Sequence, residues 1–338
     1  MKRLFYVGMD IHKKKIAYCE KTQGGKLIGE GVISSSEGSV REWASGLRKP
    51  WVGAMEATLF TGYVYDVLKP YAKELKVANP LLLKAFEKHK NDKIDAKKLC
   101  DLLRVDLLPE CYIAPKEIRE LRRVLRYRNM IVREASRFKN RTSGLLMEVG
   151  VEYNKSKLHG KRYFAELVES LTEIPESVRE LLWLSRSNIE IFESCQKRLV
   201  KALEEHDLLR ERIKILRSIG GVGIITALTW ALEIAEPFRF RQINKAVSYC
   251  GLCSAQKQSG DKSMRGPISK QRNKNLQWAL IECAKLAPRT NPQLRDVHER
   301  ELKKGNRNRA TLAVARKLVG YLLAVDKSGK EFVTGIVS

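Results

Sequence analysis

Two hydrophobic periods divide this chain, and the point where one gives way to the other limits the folds open to it. Up to residue 78 the apolar residues come in runs of strand length, at 4–9, 15–20, 27–33, 51–55 and 74–78. Gln23-Gly24-Gly25-Lys26 supplies a hairpin turn between the second and third runs. Helical segments at 39–47 and 61–69, and another from Pro80 onward, alternate with the later strands. A three-stranded meander followed by alternating helix and strand makes a mixed α/β layer, not a bundle. From about residue 92 the period becomes helical. Ile94, Leu99, Leu102, Leu103 and Leu107 share one face, and Leu121, Val124, Leu125, Ile131 and Val132 form a seam through 117–146. Residues 176–213 repeat the pattern over one or two helices, so a coiled-coil-like antiparallel arm is expected, with an ordinary packed helical layer as the alternative. Two more helices are read at 276–287 and 310–325. The expected fold class is α/β plus α. It divides into a mixed-sheet domain at 1–112, a long helical arm at 113–213 and a mainly helical C-terminal domain at 214–330.

Composition then narrows the function classes. With 43% apolar and 30% charged residues the chain is globular, but its formal net charge of +25 far exceeds what solubility needs. Such an excess repels itself unless a polyanion neutralises it, which makes nucleic acid, double-stranded DNA above all, the expected partner. The opening MKRLFYVGMDIHKKK is too polar for a secretory signal, and no run of about 18 uncharged apolar residues occurs, so no membrane association is expected. Cys250 and Cys253 form a lone C-x-x-C without a second ligand pair. That argues against zinc, and the scattered thiols suit a reduced, cytoplasmic protein.

Three segments are candidates for phosphate contact. The arm carries Arg122, Arg123, Arg126, Arg128, Lys139 and Arg141. Gly220-Gly221-Val222-Gly223 separates an apolar helix end from a second helix, a helix-hairpin-helix pattern in which Gly221 and Gly223 would let backbone N–H groups approach a phosphate; a plain tight turn reads the same way. In the polar segment 254–275, read as a loop, Lys257, Lys262, Arg265, Lys270, Arg272 and Lys274 stand against one acid, Asp261.

Four acids stand apart from the rest. Asp10 ends the first apolar run, Glu56 stands at the exit of the fourth, and Asp92 and Asp95 share a helix face three residues apart. Strand-end acids and a helical pair can converge on hard cations, and two such ions about 4 Å apart are a common device for phosphoryl displacement. Asp92 and Asp95 as a helix cap and first-turn acid, and Asp10 as a turn residue, are the structural alternatives.

Taken in order, several short words resemble the DEDD-type insertion-sequence transposases, some of which are guided by a bridge RNA. They are Val7-Gly8-Met9-Asp10-Ile11-His12-Lys13, Ala54-Met55-Glu56-Ala57-Thr58 and Lys90-Asn91-Asp92-Lys93-Ile94-Asp95-Ala96, then Leu121-Arg122-Arg123-Val124-Leu125-Arg126, Ile219-Gly220-Gly221-Val222-Gly223 and Ser259-Gly260. The resemblance covers roughly residues 4 to 325. It implies a ribonuclease-H-like (RuvC-like) first domain in which Asp10, Glu56, Asp92 and Asp95 bind Mg2+ or Mn2+. It further implies that Ser259 attacks a DNA phosphate to form a covalent intermediate, that the chain works as a homodimer or homotetramer, and that a noncoding guide RNA is a partner. The chain departs from the family pattern at Ser254, Gln258 and Asp261. Two other readings of the same residues remain open: a junction-type endonuclease that uses the four acids without a serine intermediate, and a non-catalytic basic nucleic-acid-binding protein.

Overall fold

The computed structural model describes residues 4–86, 92–259, 262–268 and 271–333; for Phe86, Asp92, Lys93 and residues 255–259, 262–265 and 267 it describes the backbone alone. The chain forms two compact units that divide between Lys116 and Glu117.

The first unit is built on a five-stranded sheet. β1 (Phe5–Ile11), β2 (Lys15–Thr22) and β3 (Leu27–Ser34) form the expected antiparallel meander. α1 (Glu37–Gly46) leads to β4 (Trp51–Glu56), and α2 (Thr61–Leu68) leads to β5 (Glu74–Ala78). The sheet order is β3-β2-β1-β4-β5, with β4 parallel to both β1 and β5. α3 (Pro80–Leu83) and α4 (Asp92–Arg104) follow. Strand alternation gives the sheet two buried faces. Val7, Met9, Ile11, Trp51 and Met55 pack with Val40, Ala44 and Val64 of α1 and α2. Val52, Ala54 and Ala78 pack with Leu99, Leu102 and Leu103 of α4. A mixed sheet of this order with helices on both faces is ribonuclease-H-like.

The second unit opens with α5 (Lys116–Glu148), continues through α6 (Lys161–Ser170) and returns along α7 (Glu176–Glu204). Phe138 meets Phe192 at 5.8 Å between ring centroids, and Lys139 pairs with Glu193 at 2.7 Å. Leu145 and Leu146 pack in one cluster with Leu182, and Leu125 shares another with Leu203. Residues that rise along α5 therefore meet residues that fall along α7, which makes the pair antiparallel. α8 (Asp207–Arg217) and α9 (Ile224–Ile234) form the helix-hairpin-helix, followed by α10 (Ile243–Tyr249). After a strand pair come α11 (Lys274–Leu286), α12 (Pro292–Leu302) and α13 (Arg307–Ser328), which pack around Leu228, Trp230, Leu318 and Leu322.

Residues 254–275 correct the expectation of a loop. β6 (Ser254–Ser259) and β7 (Lys262–Ile268) pair antiparallel. Polar strands gain little from burial, so hydrophobic pattern does not reveal them; the Gly260-Asp261 pair between them was the available hairpin signal.

Candidate active site and nucleic-acid interface

Local geometry brings the acids of the first unit to one edge of its sheet. The parallel ladder of β1 and β4 ends at Met9 opposite Met55, so Asp10 and Glu56 are the next residues on adjacent strands. Because Met9 and Met55 face α1 and α2, alternation turns Asp10 and Glu56 to the opposite face, which α4 covers. α4 lies very close to that face. A Cβ on Gly8 would stand within 3 Å of the Ala96 carbonyl oxygen and the Cys100 backbone, so only glycine admits the helix here. The direction of α4 follows from its contacts. Cys100 Sγ donates to the Tyr6 carbonyl at 3.2 Å, and Asp101 pairs with Lys21, which stands opposite Tyr6. The C-terminal half of α4 thus lies over the start of β1, and its N-terminal turn lies toward Asp10.

Asp95 precedes buried Ala96 and stands one turn before buried Leu99, on the sheet-facing stripe. Its carboxylate accepts from Lys98 Nζ at 3.1 Å. Asp92 opens α4; its side chain is outside the described residues. Asp10 is 9% exposed, and its Oδ2 lies 3.0 Å from His12 Nε2. A carboxylate-rich donor set suits magnesium or manganese. Among the described residues, however, no three acids, histidines or cysteines stand close enough to enclose an ion.

The basic candidates of the arm separate into three kinds. Arg126 donates from Nε and an Nη to both carboxylate oxygens of Glu233, each at 2.8 Å, and Arg122 donates to the Leu232 carbonyl with its Nε 3.7 Å from Glu233. Arg128 is only 7% exposed, and burial lowers its pKa. Lys139 is paired with Glu193. Arg123 and Arg141 are exposed. A continuous row of phosphate-facing cations is therefore not what α5 presents.

The two glycines of the hairpin also differ. Gly221, at φ +93°, faces inward, and a Cβ there would stand 2.6 Å from Ala287, so this glycine serves packing. Gly223 is exposed with open space around it and caps the N-terminus of α9. In the β6–β7 hairpin Ser259 is the last residue of β6, paired with Lys262. The side chains of Ser259, Lys257, Lys262 and Arg265, and all of Lys270, are outside the described residues. Arg272 and Lys274 are exposed at the start of α11.

One buried group escaped the sequence reading. The Glu233 side chain is fully buried, and besides Arg126 it accepts from Asn273 Nδ2 at 2.9 Å and Asn275 Nδ2 at 2.8 Å. Its sequence signal is one charge inside an otherwise uncharged, mostly apolar helix, Ile224–Ile234. The carboxylate ties α5 and α9 to the N-terminal turn of α11, directly after the basic hairpin.

Two segments of the chain match families of known proteins. Residues 7–150 match the family model DEDD_Tnp_IS110, described as "Transposase", and residues 213–299 match Transposase_20, described as "Transposase IS116/IS110/IS902 family". The chain is 23% identical over 338 residues to the transposase for insertion sequence element IS1328 of Yersinia enterocolitica, covering 98% of this chain and 99% of the relative. It is 25% identical over 335 residues to the transposase for insertion sequence element IS1111A of Coxiella burnetii, covering 94% and 88%. It is 24% identical over 290 residues to the putative transposase y4qE of Sinorhizobium fredii, covering 82% and 70%. The match of residues 7–150 to a DEDD-type model overturns the expected serine–phosphate intermediate, because it implies a DEDD-type transposase mechanism in its place. Metal-dependent catalysis and a DNA partner follow at the level of the family. No helix among the described residues is long and apolar enough to cross a membrane. With residues 7–150 and 213–299 matched by the two models and the IS1328 relative aligned over 99% of its length, the chain belongs to the IS110-type family of insertion-sequence transposases.

Proposed function

We propose that this chain cleaves DNA strands at the ends of a mobile element by metal-dependent phosphoryl displacement at Asp10, Glu56, Asp92 and Asp95, in the manner of a RuvC-like nuclease and without a covalent serine step. The observation that supports this most is the shared edge of Asp10, Glu56 and the N-terminal turn of α4, inside the segment that matches the DEDD-type model. A bound magnesium or manganese ion would supply charge stabilisation on the attacking and leaving oxygens. The chain's own residues do the positioning. β1 and β4 fix two carboxylates on adjacent strand ends, and Gly8 lets α4 approach closely enough to bring its acids to the same edge. His12 Nε2, 3.0 Å from Asp10 Oδ2, helps to orient that carboxylate at the strand end.

The basic hairpin, Gly223 and the exposed arginines of α5 would hold the DNA backbone. A noncoding RNA partner and a homodimeric or homotetrameric assembly belong to the same reading; the net charge of +25 suits RNA and DNA together and suits DNA alone equally well. The decisive experiment is cleavage of duplex DNA carrying the element ends, with Mg2+ and with chelator. Cleavage lost on chelation and in Asp10→Asn and Asp95→Asn, but retained in Ser259→Ala, supports the reading. Metal-dependent cleavage that survives Asp10→Asn overturns it, and full function without cleavage would favour the non-catalytic binding protein.

A further inference from the structure

Residues 300–309, Arg-Glu-Leu-Lys-Lys-Gly-Asn-Arg-Asn-Arg, end α12 and begin α13 with five cations against one anion. They lie beyond the matched segment of the C-terminal family model, which ends at residue 299. Every residue from 302 to 309 is exposed. The single counter-charge is Glu301, whose side chain is 18% exposed. Its carboxylate stands 3.1 Å from Arg309 Nε, 3.7 Å from Lys304 Nζ and 3.9 Å from Arg300 Nε. One acid shared by three cations fixes their positions without neutralising them. Lys303 and Arg307 form no ion pair among the described residues. This is the reverse of α5, where Arg122 and Arg126 converge on one buried carboxylate and Lys139 has its own partner.

A dense, exposed, half-fixed group of cations that the fold itself does not neutralise calls for an external polyanion. We propose that the α12–α13 turn is a second DNA-binding surface, gripping the sugar–phosphate backbone of duplex DNA through Lys303, Lys304 and Arg307. The proposal rests on the reading of this chain as a protein that acts on DNA. Its geometry keeps it distinct from the helix-hairpin-helix. Gly220 packs on the Thr290 carbonyl, so the α8–α9 turn sits at the N-terminal end of α12, and the basic turn sits at the other end. An eleven-residue helix spans about 16 Å at a rise of about 1.5 Å per residue. That equals roughly five nucleotides along one strand at about 3.4 Å each, so the two turns would contact different phosphates.

The test is duplex binding by the full chain carrying Lys303→Gln, Lys304→Gln and Arg307→Gln together, measured from about 50 to 200 mM salt on several unrelated sequences. Affinity should fall by a similar factor on every sequence, and the slope of log affinity against log salt should become shallower by about 3, close to one unit for each lost phosphate contact. Lys303→Arg with Lys304→Arg, which keeps the charge, should leave the slope at its wild-type value. The thermal midpoint of the triple variant, whose changes are all on exposed positions, distinguishes lost contact from lost fold. An unchanged slope in a folded triple variant overturns the proposal, as does a loss confined to structured RNA with duplex binding intact. The reading of overall function is judged separately, by metal-dependent cleavage and its loss in Asp10→Asn. The turn therefore fails alone when wild-type protein binds and cleaves but the triple substitution leaves the salt slope where it was.

Discussion

The two units treat buried carboxylates in opposite ways. In the second unit Glu233 is enclosed by Arg126, Arg122, Asn273 and Asn275, and Asp326 is held by Arg212 through both oxygens, at 2.7 and 2.8 Å, and by Trp230 Nε1 at 2.9 Å. In the first unit Glu20 is 7% exposed with one carboxylate oxygen, Oε1, lacking a hydrogen-bond partner, and Asp10, 9% exposed, lies beside a histidine near the C-terminal end of β1. A carboxylate whose lone pairs are filled by fixed donors is a structural cross-link. A carboxylate that the fold buries without filling is available for chemistry or costs stability. The comparison assigns structure to Glu233 and Asp326 of the second unit, whereas the proposed function gives Asp10, at the sheet edge of the first, a chemical role.

The largest expected effect tests that assignment directly. Asp10→Asn keeps the shape of the side chain and removes its charge. Strand cleavage should drop on the order of 10²–10³-fold, as when a group that stabilises transition-state charge is lost, while denaturant unfolding changes little. If unfolding moved as much as cleavage, Asp10 would be a structural acid like Glu233 and the contrast between the units would collapse.

Next comes Glu233→Gln, which sets a neutral, fully buried amide against the half-exposed Arg126 guanidinium. Breaking one side of a fully buried pair costs about 3–5 kcal/mol. Arg126 is half exposed and can be solvated, so the cost here should be smaller, and the denaturation midpoint should still fall below that of wild type. The same change should shift the pH dependence. Burial alone would raise the Glu233 pKa, but Arg126, Asn273 and Arg122 hold it below its ordinary value of 4.5. A depressed folded-state pKa means that this stabilisation is present above pH 4.5 and lost as pH falls through the folded value. Wild-type stability should therefore decline on acidification below that point, and Glu233→Gln should flatten the decline.

What could be read in advance follows the range of the interactions. Asp10 and Glu56 were legible because each ends an apolar run of strand length, and the arm because its seam repeats within one helix. The order of the sheet, which sets those two acids side by side, depends on β1 pairing with β4 across more than forty residues, and the helical and strand periods are silent on pairing. Glu233 was hidden for the same reason: its donors are 107 residues upstream and 40 and 42 residues downstream. The basic character of α5 was legible but not its pairing, since a charge run records cations without recording which of them an acid from another helix engages.

Glu20 gives the smallest effect and the opposite sign. It lies in β2 opposite Val7, with Oε2 near the Gly29 backbone of β3. Burial raises its pKa, and the field of Arg48 only partly offsets this. A raised folded-state pKa makes the contribution of Glu20 favourable below its ordinary value of 4.5 and erodes it as pH rises through the folded value. Glu20→Gln removes the charge that the site fails to solvate, so it should stabilise the protein near neutral pH by on the order of 1 kcal/mol. That gain should vanish in mildly acidic buffer, where wild-type Glu20 is already protonated. Thermal midpoints of the variant and wild type at pH 8 and pH 4 read the difference. A variant that is less stable at both would mean that Glu20 has donors as complete as those around Glu233, and the division between the two units would then rest on Asp10 alone.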